Sequence, residues 1–176
     1  MGADYIGTDI PLQFPHLYHI RGQKMNNNKN FEKLLLKFNE EHLGLFGHLE
    51  KFDSLLSESK FNLMFNKFNN FLTFLKKDLI HHFNDEEQNL FCDMAMLFKS
   101  EPLIKSILQA IKEHGIIITR LEYLEEQIKQ SNSKENSEKT LNFEIAVSFK
   151  NLIEEIKVHA KKEVEEIYSF FKESAN

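Results

Sequence analysis

Cysteine is nearly missing from this chain of 176 residues, tryptophan is missing altogether, and proline and glycine number only 3 and 6. The single Cys92 can close no internal disulfide and belongs to no C-x-x-C pair, which excludes a disulfide scaffold, a thioredoxin-like redox motif and a thiolate zinc site. It reads as a small apolar residue. An excess of basic charge is lacking too. The 22 Lys and Arg are scattered among 27 Asp and Glu, for a formal net charge of −5, so no surface for nucleic acid or an anionic membrane is expected. No stretch approaches the roughly 18 uninterrupted apolar residues of a membrane span. Asp4 and Asp9 stand where a signal peptide would place a basic run and an apolar block, and Ile6 stands where a myristoylation motif needs Ser or Thr. A cytoplasmic protein of one domain is the expectation.

Two of the prolines, Pro11 and Pro15, and three of the glycines fall within residues 1–29, which read as an extended N-terminal arm. Its apolar residues, among them Ile10, Leu12, Phe14 and Leu17, suit it to lie against its own domain or against a second copy of the chain, a route to a homodimer. From Phe31 onward the apolar residues recur at helical spacing. Breakers divide this region into four segments: about 30–56, ending at Ser57-Glu58-Ser59; about 60–98, ending before Pro102; about 102–130; and, after the polar run 131–137, about 138–173. Four long amphipathic segments with short connections, without strand alternation, a G-x-G-x-x-G sequence or a repeat, predict an all-α, antiparallel up-down-up-down four-helix bundle over residues 30–176.

Each inward stripe is interrupted by histidine. The stripes read Phe31, Leu35, Phe38, His42, Leu45, Leu49; Leu72, Leu75, Leu79, His82, Glu86, Leu90; Ile104, Ile107, Ile111, His114, Ile118, Leu121; and Ile145, Phe149, Leu152, Ile156, His159, Glu163, Ile167, Phe170. One histidine on an apolar face is ordinarily a hydrogen-bonded core residue. Four, one per helix, together with the carboxylates of Glu86 and Glu163, would be costly to bury unless they share a partner, and a cation suits all six. In an antiparallel bundle, residues at one height lie equally far from the turn between them. The midpoints of His82/His114 and His114/His159 fall at the expected breaks, while that of His42/His82, position 62, falls a few residues beyond the expected break at 57–59. His82-x-x-x-Glu86 and His159-x-x-x-Glu163 each place an imidazole and a carboxylate one turn apart on one face.

The set His42, His82-x-x-x-Glu86, His114, His159-x-x-x-Glu163 resembles the hemerythrin-like HHE cation-binding family, over about residues 30–173. The resemblance implies a non-haem centre of two iron ions in the bundle core, with the histidines as terminal ligands and Glu86 and Glu163 bridging. It also implies open positions for oxygen or a related diatomic such as nitric oxide, in sensing, storage or stress response. Ferritin-like sites instead need Glu-x-x-His, and no histidine here has a Glu three residues before it. Oxygen-carrying members have a fifth histidine four residues from the third-helix ligand, where this chain has Ala110 and Ile118, which weighs against reversible carriage. Relatives that repair iron-sulfur clusters commonly have an N-terminal cysteine pair, and residues 1–29 hold no cysteine. Two other classes stay open: an enzyme of nitric-oxide response, iron-sulfur repair or oxygen or peroxide reduction at the same centre, and a metal-free interaction bundle. His81 is set aside for His82 because its own face, with Asp78, Asp85 and Gln88, is polar. His16, His19 and His48 are read as surface or packing groups. Glu87, Glu113 and Asp85 adjoin ligands, but charges beside a stripe are ordinarily solvated. The 17 phenylalanines supply a dry wall around the core.

Overall fold

The computed structural model describes residues 27–57, 65–131 and 138–170, so the arm lies almost wholly outside the described residues, as do His16 and His19. All of the described secondary structure is helical. Four rods account for it: α1 (Asn27–Ser57), α2 (65–98), α3 (Glu101–Ser131) and α4, formed by Glu138–Lys162 and a continuation at Glu163–Tyr168. α1 therefore begins within the polar end assigned to the arm. α2 is first seen at Phe65 rather than near 60, and residues 60–64 lie outside the described set. His42 and His82 nonetheless stand level, with ring centroids 4.7 Å apart.

The turn between α2 and α3 is tight. Lys99 adopts the left-handed conformation (φ 47°) that caps a helix C-terminus, and its N–H donates to the carbonyl of Ala95 at 3.2 Å. Pro102 follows in the first turn of α3, where a missing N–H leaves no helical hydrogen bond unmade.

The stripes of α1, α2 and α4 lie inward as the periodicity requires. On α3 the stripe is rotated by one residue: Leu103, Ala110 and Ile117 are buried, whereas Ile104 is exposed and Ile111 and Ile118 are only partly covered. Neighbouring apolar pairs such as Leu103-Ile104 and Ile117-Ile118 leave the centre of the face undetermined to within one residue, since each residue turns the helix by only about 100°.

The core forms two apolar clusters. One gathers Phe52, Phe68, Phe71, Leu75, Leu121 and Phe149, with Phe52 stacked on Phe71 at 3.7 Å between ring centroids. The other gathers Phe31, Phe38, Leu90, Phe91, Met94, Leu103 and Ile167. Between them lies a layer of polar residues: His42, His82, Glu86, His114, His159 and Glu163 are the buried polar or charged groups among the described residues. No helix among the described residues is long and apolar enough to cross a membrane.

Candidate metal centre

All six residues singled out by the stripes converge in this layer. The Nε2 atoms of the four histidines face the two carboxylates: His42 lies 3.6 Å from Glu86 Oε1 and 3.3 Å from Glu163 Oε2, and His82 lies 3.3 Å from Glu86 Oε1. His114 is 3.5 Å from Glu86 Oε2 and 3.2 Å from Glu163 Oε1, and His159 is 3.2 Å from the same Glu163 oxygen. Donors sharing one transition-metal ion, each about 2.1 Å from it, stand roughly 3 to 4 Å apart. Two groups come near that spacing, His42-His82-Glu86-Glu163 and His114-His159-Glu163, each with its ligand atoms within 4.8 Å of one another. Glu163 belongs to both.

The hydrogen bonding in this layer is incomplete. His82 Nε2, His159 Nε2, Glu86 Oε2 and Glu163 Oε2 are buried without a hydrogen-bond partner, an arrangement that costs free energy in a protein that must fold without a cation. A cation would satisfy these atoms together, so the donor set fits a metal. Without one, protons fill part of the role. Burial disfavours the imidazolium of His114, but hydrogen bonds to Glu163 and Glu87 outweigh it and push the group up to about 9. Burial likewise opposes ionisation of Glu163, yet the hydrogen bond from His114 and the close approach of the His159 and His42 imidazoles hold it well below the usual carboxylate range.

The outward nitrogens show how three of the rings are aimed. His82 Nδ1–H donates to Glu41 at 2.8 Å, His114 Nδ1–H to Glu87 at 2.7 Å, and His159 Nδ1–H to Glu113 at 3.0 Å. A carboxylate behind an imidazole fixes its tautomer and raises its basicity toward a metal. Glu87 and Glu113 thus orient His114 and His159, where the sequence pattern favours simple solvation. Asp85 does not; it pairs with Lys37 at 2.8 Å. Glu41 was missed, because it serves a histidine on the neighbouring helix and not the one beside it in sequence. His42 differs from the other three, its Nδ1 being buried without a partner. Burial raises Glu113, but hydrogen bonds from Gln109, His159 and Lys162 bring it down to about 2. A carboxylate depressed in the folded state adds stability above its unfolded value of about 4.5 that is lost as pH falls toward 2. Glu113→Gln is therefore expected to flatten the acid limb of the urea midpoint between pH 5 and 3; an unchanged limb would remove Glu113 from that role.

The sequence reading also missed Tyr168. It is buried, stacks on His42 at 5.6 Å with the rings 4° from parallel, and its hydroxyl donates to Glu86 Oε1 at 2.5 Å. In an α-helix, residues 163 and 168 would point about 140° apart. Here Glu163–Tyr168 is a π turn, whose i→i+5 bonding turns the later residue back toward the face of the earlier one. Two more π turns, Leu75–Leu79 and Glu86–Leu90, flank the His82 turn on α2. Burial, then the charges of Glu86 and Glu163, push the phenol far up, so it stays protonated and remains a donor. Tyr168→Phe keeps the ring and removes that donor. Metal affinity is expected to fall about tenfold in competition with a chelator, and an unchanged affinity would leave Tyr168 as a packing group.

Apolar rings close the centre from both sides. Phe83 stacks on His114 at 3.8 Å and meets His159 edge-on, and Phe38 meets His82 edge-on at 5.5 Å. His81 is exposed, with only a loose 3.9 Å approach to Asp85, and His48 packs on Phe74 outside the layer. Ala110 is buried in the second apolar cluster and Ile118 packs against the first, so no fifth imidazole is available from those positions. Cys92 is half-buried, donates to the Glu87 carbonyl at 3.2 Å and has its thiol pushed up by burial and by the nearby Asp93 and Glu87 charges, which disfavours the thiolate.

Against known families, residues 33–171 match the hemerythrin HHE cation binding domain. The chain belongs to that family. Searches of the curated proteins and of the solved structures give no match. For a hemerythrin-family chain, the buried His and Glu cluster indicates metal binding. The family match covers every residue of the polar layer.

Proposed function

We propose that this hemerythrin-family protein holds two iron ions, through His42, His82, Glu86, His114, His159 and Glu163, and binds oxygen or a related diatomic such as nitric oxide, for sensing, storage or stress response. The observation that carries the reading is Glu163, common to both ligand groups, with Glu86 opposite it facing histidines of both. Mixed imidazole and carboxylate donors suit iron. When bound, an iron pair with six protein ligands supplies open coordination positions and redox chemistry. The residues around it do the rest. Glu41, Glu87 and Glu113 hold three imidazoles in register, Tyr168 keeps a proton at Glu86, and Phe38 and Phe83 exclude water from the same volume.

The same reading takes the bundle as antiparallel, supported by contacts in which α1 numbers fall as α2 numbers rise: Phe52 with Phe71, then Lys37 with Asp85. Arg120 with Glu155 and Ser106 with Glu166 do the same for α3 and α4. It takes residues 30–176 as the domain and 1–29 as an arm. The test is optical spectroscopy of the iron-loaded protein: reversible, saturable changes with oxygen or nitric oxide are expected. A spectrum indifferent to both gases would refute diatomic binding, and catalytic consumption of either, or of peroxide, would move the protein to the enzyme class.

A further inference from the structure

Most of the centre is sealed: Glu86, Glu163, His114, His42 and His159 are 0 to 2% exposed. His82, at 7%, is the exception, and it forms the inner wall of a groove of about 330 Å³ between α1 and α2. Glu41 lies in the same wall, bonded to His82 Nδ1. Farther out the groove is lined by His48, Asp78 and His81, all exposed. Asp78 has no ion-pair partner among the described residues, whereas Glu41 is approached by Lys37 at 3.4 Å. The His82 ring thus has one face on the groove and an unpartnered Nε2 in the buried layer.

The floor contains Gly44. Glycine inside a helix costs about 1 kcal/mol relative to alanine, and the usual compensation is close packing of another element. None is present, since a Cβ at Gly44, as at Gly47 and Gly115, would meet nothing within 4 Å. Gly44 differs from those two in lining this groove, where a larger side chain would take up its space.

Resting on the metal-binding reading, we propose that this groove is the route by which a divalent cation reaches the centre. A hydrated ferrous ion must exchange water for protein donors in steps, and carboxylate and imidazole donors stand along the path: Asp78, His48 and His81 outside, Glu41 and His82 inside. A neutral gas would need none of these groups. They form no closed ligand set, as expected of a path and not of a store.

The probe is ferrous iron alone, added without oxygen to metal-free full-length protein, with bound iron per chain counted against time after rapid desalting. Gly44→Leu should slow uptake at least tenfold while final content stays at the wild-type value and thermal stability is equal to or above wild type. Gly47→Leu, on the same helix outside the groove, should load at the wild-type rate. Asp78→Asn should slow uptake about threefold at low salt, an effect that fades in high salt as the attraction is screened. Wild-type uptake kinetics in both Gly44→Leu and Asp78→Asn would overturn the route, as would a Gly44→Leu protein that loads normally but reacts slowly with oxygen. If wild-type protein itself takes up no iron, the metal reading fails instead.

Discussion

Replacing Glu163 with alanine is expected to cut bound metal from two ions per chain to no more than one, held by the remaining His42-His82-Glu86 set. Its carboxylate is the one group shared by both donor sets, with His42 at 3.3 Å on one oxygen and His114 and His159 each at 3.2 Å on the other. Glu86→Ala should be milder and asymmetric, since His114, His159 and Glu163 remain together and can retain about one ion. Metal-free Glu163→Ala should also lose stability, on the order of 3 to 5 kcal/mol, because removing one partner of a buried ion pair leaves the other uncompensated. Glu163→Gln preserves volume and separates the two effects: it should fold better than the alanine variant yet still lose metal. Full occupancy in both Glu163 variants would remove the shared-carboxylate assignment.

The second large effect is a divergence with pH between metal-free and metal-loaded protein. In the metal-free chain His114 titrates at about 9, above its unfolded value of about 6.5. A group raised in the folded state contributes stability that is fully present below about pH 6.5 and is lost as pH rises through about 9. The upper limit is about 3 kcal/mol for a shift of this size. Chelated protein should therefore have a denaturation midpoint that falls from pH 6.5 to 9. Metal reverses the sign, because it competes with protons for the imidazoles and binds more tightly as they deprotonate. At a free metal concentration a thousand times the dissociation constant, linkage adds about 4 kcal/mol. Loaded protein should hold or gain stability over the interval where chelated protein loses it. Parallel profiles would mean that metal and proton do not share the His114 site.

The legible part of this centre and the missed part differ for a physical reason. A helical period of 3.6 is written in the chain itself, so the sequence alone places His42, His82, His114 and His159, with Glu86 and Glu163, on inward faces. The α3 stripe slipped by one residue because paired apolar residues straddle its true centre, and His114 lies on either version. Glu41 behind His82 and Glu87 behind His114 are contacts between helices, fixed by rotation and depth of packing, to which spacing along one helix is blind. Tyr168 was hidden more thoroughly. Its place depends on a π turn, which breaks the periodicity that located everything else. Two of the three π turns begin at Glu86 and Glu163, the two carboxylates of the polar layer.

The most direct test of the centre is metal content per chain, by mass spectrometry on protein purified without a metal-affinity tag and after anaerobic exposure to ferrous iron. Close to two irons per chain is expected, falling to one or fewer in Glu163→Ala. No metal in either preparation would contradict the centre, and would leave a helical bundle that buries four imidazoles and two carboxylates with only protein groups as partners.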